Sequence, residues 1–165
     1  MRLFIMILVS AIIVIAIYLL IHRTMINRAT LMLRKQAQAA TDAAMAYALK
    51  QNLLQLPSMP ESQLVADVWG KGVLAFEYTL KAKKVTELKE KDVEMALNAY
   101  AKEKHLDHLP TAAKTFVVTD WWTYEQMLHI DVAYIYNEAT REYVMDLRKL
   151  NQNNLYRLSD VTWAT

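Results

Sequence analysis

The segment from Leu3 to Ile21 limits the fold of this chain more than any other feature. It contains no charged residue, no proline and no glycine. As an α-helix rising about 1.5 Å per residue, it nearly matches the roughly 30 Å hydrocarbon thickness of a bilayer. A helix that is apolar on every side needs either lipid or a large protein around it. We therefore predict a transmembrane helix over residues 1–23, with membrane lipid as its first partner.

A cleaved signal peptide and a soluble core helix are the two alternatives to a retained span. A secretory signal has a shorter apolar region and small residues at its cleavage site, whereas His22, Arg23, Thr24 and Met25 follow here. A chain of 165 residues rarely encloses a helix that is apolar on all sides. The sequence favours a single-pass membrane protein.

Composition narrows the classes of function. The formal net charge is only +2, and basic and acidic residues interleave after residue 60, so we expect no nucleic-acid partner. The lack of cysteine excludes disulfides, thiolate catalysis and cysteine-ligated zinc. With two glycines the chain makes few left-handed turns, so helix should dominate.

The membrane helix is predicted to continue as a helical stalk over residues 24–56. No glycine or proline precedes Pro57, and the segment is rich in residues that favour helix. Apolar and small side chains recur every three or four positions, which places them on one stripe. These residues are Ile26, Ala29, Leu33, Ala37, Ala40, Ala44 and Tyr47. The stripe predicts a helix-packing face, directed either to the chain's own domain or to a neighbouring subunit.

Residues 57–165 are predicted to form one globular domain. Pro57 and Pro60 end the stalk, because proline disfavours helix at the residue before it and lacks a donor. Apolar spacing predicts a second helix over residues 61–83, with Ser62 as its cap, and a third over residues 91–106. Gly70 and Gly72 weaken the second helix in its middle.

The C-terminal part of the domain has the composition of strands. Alternating β-branched and aromatic residues over 115–136 predict antiparallel strands, with residues 119–122 as a tight turn between them. A connection after Tyr136 predicts a hairpin to a further strand, and a helix over 139–150 is the alternative. Residues after Asn151 are expected to form a tail with at most a short strand.

The predicted fold class is therefore α+β. A long N-terminal membrane-spanning helix continues into a small domain with two further helices and a C-terminal antiparallel sheet.

Three groups of residues are candidates for chemical sites. His105, Asp107 and His108 cluster, but histidines near a helix C-terminus also favour the helix dipole. Asp120 precedes two tryptophans, which on a strand point to opposite faces, so one of them is expected in the core. Asp131 and Glu125 are candidate paired carboxylates, yet no spacing identifies such a pair. We predict no catalytic residue, no cofactor and no metal, and a function other than catalysis.

An apolar N-terminal helix that continues into an alanine-rich helix, followed by a domain with antiparallel strands, resembles the type IV pilin-like class of subunits. The stretch AQAATDAAMAYA, from Ala37 to Ala48, is similar to the Asp-Ala-Ala-rich stretch of TadE/TadG-like pseudopilins of tight-adherence systems. The prepilin pattern of a processing glycine, a hydrophobic residue and a following glutamate is absent, and Asp42 is the first acidic residue. The resemblance implies a structural subunit or assembly partner of a pilus-like surface filament or secretion apparatus.

The same resemblance implies that the chain binds itself or related pilin-like subunits through its N-terminal helix. In lipid such association depends on close packing, which small residues permit. The predicted assembly face consists of Ser10, Ala11, Ala16, Ile26, Leu33, Ala37, Ala40, Ala44 and Tyr47. The alternative function is a monomeric membrane-tethered binding or enzymatic domain of unknown ligand.

The sequence gives two opposed indications of topology. Arg23, Arg28, Arg34 and Lys35 follow the span while only Arg2 precedes it, so the positive-inside rule places the domain in the cytoplasm. The pilin-like resemblance implies an extracytoplasmic domain. We favour the extracytoplasmic side, because a long helix with a small-residue stripe suits a subunit that projects into an assembly.

Overall fold

The computed structural model describes residues 2–52, 60–65, 72–81 and 88–161. In chain order its elements are helix α1 (Arg2–Asn52), strands β1 (Gln63–Leu64) and β2 (Ala75–Lys81), helix α2 (Glu90–Glu103), strands β3 (Phe116–Tyr124) and β4 (Met127–Tyr134), and helix α3 (Glu138–Val161). These elements confirm the predicted α+β class with a long apolar N-terminal helix and an antiparallel sheet.

Helix α1 is continuous, as its lack of glycine and proline predicted. Residues 53–56 of the predicted stalk lie outside the described residues. Among those described, α1 is the one helix long and apolar enough to cross a membrane, and none of its most apolar window is buried. A signal sequence near an N-terminus meets the same criteria of length and composition.

The chain divides into two compact units, one of residues up to Gln36 and one of residues from Ala37 onward. The described residues of the first unit all belong to α1, and every side chain from Leu3 to Arg23 is exposed. The second unit takes in the last turns of α1, so it begins within the predicted stalk and not after Pro57.

The second unit is built on a four-stranded antiparallel sheet with the order β1-β2-β4-β3. One face of the sheet forms the main core with α2 and the last turns of α1. The other face packs against α3 at one end, where Val73, Ala133 and Val144 meet in a second cluster. Helices therefore cover both faces of the sheet. Polar side chains occupy the part of the second face that α3 does not cover.

The alanine-rich stretch of α1 packs in the main core. Ala44, Met45, Ala48 and Leu49 are fully buried there. The hydroxyl of buried Tyr78 donates a hydrogen bond of 2.7 Å to Asp42, which fixes this part of α1 to the central strands. Burial and the neighbouring Asp42 carboxylate raise the pKa of Tyr78, so the phenol stays protonated and remains the donor.

The prediction of a helix over residues 61–83 is wrong. Its described parts form β1, β2 and the segment that leads into β2. From Phe76 onward β2 alternates, with Phe76, Tyr78 and Leu80 in the main core and Glu77 on the other face. The helix was predicted because Val73, Phe76 and Leu80 are also spaced by three and four residues. Ser62 caps no helix and instead accepts a hydrogen bond from the Gln38 amide, while Gly72 adopts a positive φ of 102°.

Residues 91–106 do form the predicted helix, whose observed bounds are Glu90 to Glu103. The turn between the strands lies elsewhere than predicted. Residues 119–122 are inside β3, and the chain turns at Glu125 and Gln126, which both have a positive φ.

The predicted final hairpin is also wrong, because the helix that was its alternative forms instead. Asn137 caps α3 by accepting a hydrogen bond of 2.9 Å from the Thr140 amide. Tyr143, Val144 and Leu147 then pack on the sheet at helical spacing. The helix extends to Val161, so residues 151–161 are not a tail with a short strand.

Candidate functional site

Three carboxylates lie in one row across the second face of the sheet. The strand register pairs Glu77 of β2 with Asp131 of β4, and Asp131 with Asp120 of β3. A β-bulge between Val118 and Asp120 produces this arrangement, since it shifts Asp120 by one position and so moves it to the face of Asp131.

His129 lies in the next row of the same face, between Thr79 and Trp122. Its Nδ1 is 2.6 Å from Oε1 of Glu77, and its ring stacks on the Trp122 ring with centroids 4.9 Å apart. Because an ionised carboxylate only accepts hydrogen bonds, Glu77 favours the tautomer with the proton on Nδ1. The carboxylate and the indole together fix the orientation of the imidazole.

We call Glu77, Asp120, His129 and Asp131 the carboxylate–histidine cluster, and Asp131 is its most unusual group. The residue is only 6% exposed, and within the described part of the chain its Oδ1 accepts no hydrogen bond. Burial, and then the charges of Glu77 and Asp120, raise the pKa of Asp131 to about 7, while His129 opposes the shift. The carboxyl group can therefore hold or release a proton near neutral pH.

Tyr143 of α3 borders the buried carboxyl group. Burial, followed by the charge of Asp131, raises the pKa of this phenol. The cluster thus contains a carboxyl group that titrates near neutrality, a histidine oriented by Glu77, and a protonated phenol. Such groups are able to transfer protons or to bind a polar ligand.

In the sequence, Asp131 was considered only as a possible partner of Glu125, and the structure does not bring these two acids together. Glu125 lies exposed in the turn of the β3–β4 hairpin, beyond the last register pair, whereas Asp131 is paired with Asp120. The expectation for the tryptophans is confirmed, because Trp121 packs against the main core and Trp122 lies on the opposite face. Glu77 and His129 were missed, since only strand pairing brings them together.

The histidines of the sequence HLDH lie past the end of α2. His105 has a positive φ of 50°, and the Leu106 amide donates to the Ala101 carbonyl, which closes the helix end. Both His105 and His108 line a cavity of about 610 Å³ beside α2, together with Lys102 and Lys114. Across the described ranges, no three histidine, aspartate or glutamate side chains are grouped to hold a metal ion.

The residues of the predicted assembly face fall into two groups. Ser10, Ala11 and Ala16 are exposed, and the Ser10 hydroxyl donates to the Ile7 carbonyl of its own helix. At about 100° per residue, Ser10, Ala11 and Ala16 together span about 220° of the circumference of α1, so the three do not share one face. The side chain of Ile26 lies outside the description, and Leu33 is half-buried.

The second group belongs to the main core of the second unit. Ala37 and Ala44 are buried in it, and Ala40 packs against it. The Tyr47 ring contacts the Tyr100 ring of α2, with centroids 5.4 Å apart. The sequence left open whether this stripe packs against the chain's own domain or against a neighbouring subunit. These four residues contact the chain's own domain.

Comparison with known proteins gives no relative: no family model matches the chain, and neither a curated protein nor a solved structure matches it.

Proposed function

We propose that this chain is a membrane-anchored structural subunit or assembly partner of a pilus-like surface filament or secretion apparatus. The observation that supports the proposal is the division of α1. Its residues from Leu3 to Arg23 are exposed and almost wholly apolar, whereas its alanine-rich last turns are core residues of the folded unit. The anchor and the domain thus share one helix, which suits a subunit that is held in place by packing of its helices.

Under this proposal the anchor helix is the assembly element. Because lipid is as apolar as leucine, helices in a membrane associate by close packing and not by burial of apolar area. The stripe from Ala37 to Tyr47 is occupied by the chain's own domain. Contacts between subunits therefore involve residues that precede Ala37.

A cysteine scan of the anchor tests this assembly. The native chain has no cysteine, so a single cysteine placed in turn at each position from Ser10 to Leu20 is the only thiol. We expect oxidative cross-linking of chains in native membranes to peak every three or four positions, as a helix with one packing face requires. Co-expressed cysteine-free chain should dilute the cross-links. Uniform cross-linking, or none, would contradict assembly through this helix.

The proposal places the folded unit outside the cytoplasm, against the count of positive charges. Met95 of α2 is 65% exposed, so Met95→Cys gives a reporter thiol on the surface of that unit. We expect a membrane-impermeant maleimide to label it in intact protoplasts as fully as after permeabilisation. Labelling only after permeabilisation would place the unit in the cytoplasm, as the positive-inside rule predicts.

A membrane-tethered binding or enzymatic domain is the second candidate. The buried Asp131 carboxyl group beside the His129–Glu77 pair favours it, because unpaired buried acids are frequent at functional sites. In that case the purified protein would be monomeric in detergent, the cysteine scan would give no periodic cross-links, and a ligand would raise the unfolding temperature.

A further inference from the structure

One side of α1 between Arg23 and Gln36 carries both exposed apolar and exposed basic side chains. We call it the basic–apolar face, and it consists of Met25, Arg28, Leu31, Met32 and Lys35. At about 100° per residue these five positions lie within about 120° of the helix circumference. All five are exposed, and Met25, Leu31 and Met32 have exposed fractions of 66%, 54% and 66%. This is a large amount of apolar surface for one helix face in water.

The spacing of this face is that of a helix-pairing seam. Met25, Arg28, Met32 and Lys35 follow one another at steps of three, four and three, like the inner positions of a coiled coil. Methionine occupies one inner position of each heptad and a cation the other. The face therefore combines apolar contact with a fixed pattern of charge.

The charges of this face disfavour pairing with a second copy of the chain. Copies anchored in the same membrane with the same topology pair in parallel, which places Arg28 against Arg28 and Lys35 against Lys35. Like charges at paired positions repel each other. Helix α1 contains no acidic residue before Asp42, so this part of the helix has no carboxylate of its own to compensate the two cations.

Anionic lipid headgroups can contact only part of the basic–apolar face. If Ile21 ends the hydrocarbon layer, Arg28 lies about 10 Å and Lys35 about 21 Å beyond it along the helix. The headgroup layer is roughly 5 to 8 Å thick on each side, so the Arg28 side chain reaches it. Leu31, Met32 and Lys35 extend past the headgroups, where another protein contacts them more readily than lipid does.

Building on the proposed membrane assembly, we propose that the basic–apolar face docks a parallel membrane helix of a different chain. That partner carries acidic side chains opposite Arg28 and Lys35 and apolar side chains opposite Met25 and Met32. Oppositely charged pairs at these positions select the partner, and the apolar positions provide the contact area. The assembly is then composed of at least two kinds of subunit.

A charge-reversed copy of the protein provides a defined probe. The full-length variant R28E/K35E carries the predicted partner's charges on the same apolar framework. Met32→Cys is added to both chains as the only thiol, and the two chains bear different tags. When both chains are in one membrane, we expect cross-links between a native face and a charge-reversed face to be about fivefold more abundant than cross-links between two identical faces. Salt at about 1 M should reduce this excess, because it screens the charges.

Two further measurements complete the test. The neutral variant R28Q/K35Q should give intermediate cross-linking with the native face, and circular dichroism should show unchanged helix content in every variant.

Equal cross-linking in all combinations would overturn the proposal, and stronger pairing of native copies would identify a second copy as the occupant. A fluorophore on Met32→Cys whose emission shifts only in vesicles with anionic lipid would assign the face to lipid and would also overturn it. If cross-linking in the cysteine scan from Ser10 to Leu20 is periodic but one of these results is found, the docking face is rejected and the proposed assembly is retained.

Discussion

Replacing Asn98 with alanine is expected to lower the free energy of unfolding by about 3 to 5 kcal/mol, because several backbone groups at the edge of the sheet lose the side chain that pairs with them. The Asn98 Oδ1 accepts hydrogen bonds from the amides of Thr115 and Phe116 at 3.0 and 3.1 Å. Its Nδ2 donates to the carbonyls of Phe116 and Glu94 at 2.8 and 2.9 Å. Thr115 and Phe116 are both buried.

The effect follows from the position of β3 at the edge of the sheet. An edge strand presents unpaired amides, and here the side chains of α2 pair with them, since Glu94 also accepts from the Val118 amide at 2.9 Å. Alanine is a better helix former than asparagine, so helix propensity works against the predicted loss. Denaturant unfolding of the full-length protein in detergent measures it.

Met95→Ala on the same helix is the matched control, because Met95 is 65% exposed and should change stability by less than about 0.5 kcal/mol. A loss at Asn98→Ala of less than about 1 kcal/mol would mean that water replaces the asparagine at the strand edge.

Helices α1 and α2, whose formation depends on local sequence, were predicted correctly. Helix α1 has no residue that stops a helix before Pro57, and α2 has buried Val93, Leu97 and Ala101 at helical spacing. The signal for α3 was also present, as an Asn137 cap followed by Tyr143 and Val144, but the preceding strands favoured a hairpin.

Features that depend on tertiary pairing were not predictable from one sequence. Strand β2 alternates as a half-exposed strand does, but Val73, Phe76 and Leu80 also fit helical spacing, and only pairing with β4 decides between the two. The carboxylate row depends on the bulge before Asp120, and no residue type marks that bulge in the sequence. Without the bulge and the strand register, Glu77, His129 and Asp131 are unrelated positions.

Replacing Asp131 with asparagine is expected to stabilise the fold at pH 8 and to leave its stability nearly unchanged at pH 4. The pKa of Asp131 rises from 3.8 to about 7 on folding, first because the group is buried and then because Glu77 and Asp120 are near. The folded state therefore binds this proton more tightly than the unfolded state does. The contribution of Asp131 to stability therefore falls as the pH rises from about 4 to about 7 and is constant above that range.

The pKa difference sets an upper bound of about 4 kcal/mol on the gain from Asp131→Asn above pH 7. Comparing the free energies of unfolding of the native protein and the variant at each pH isolates Asp131 from the other titrating groups. The control is Asp120→Asn, which should preserve most of the pH dependence, because burial and Glu77 contribute more to the shift than Asp120 does. A variant less stable than the native protein at pH 8 would show that the Asp131 carboxylate makes a favourable contact, as expected if a cationic ligand occupies the cluster. The experiment therefore also tests the second candidate function, a membrane-tethered binding domain whose ligand binds at this face of the sheet.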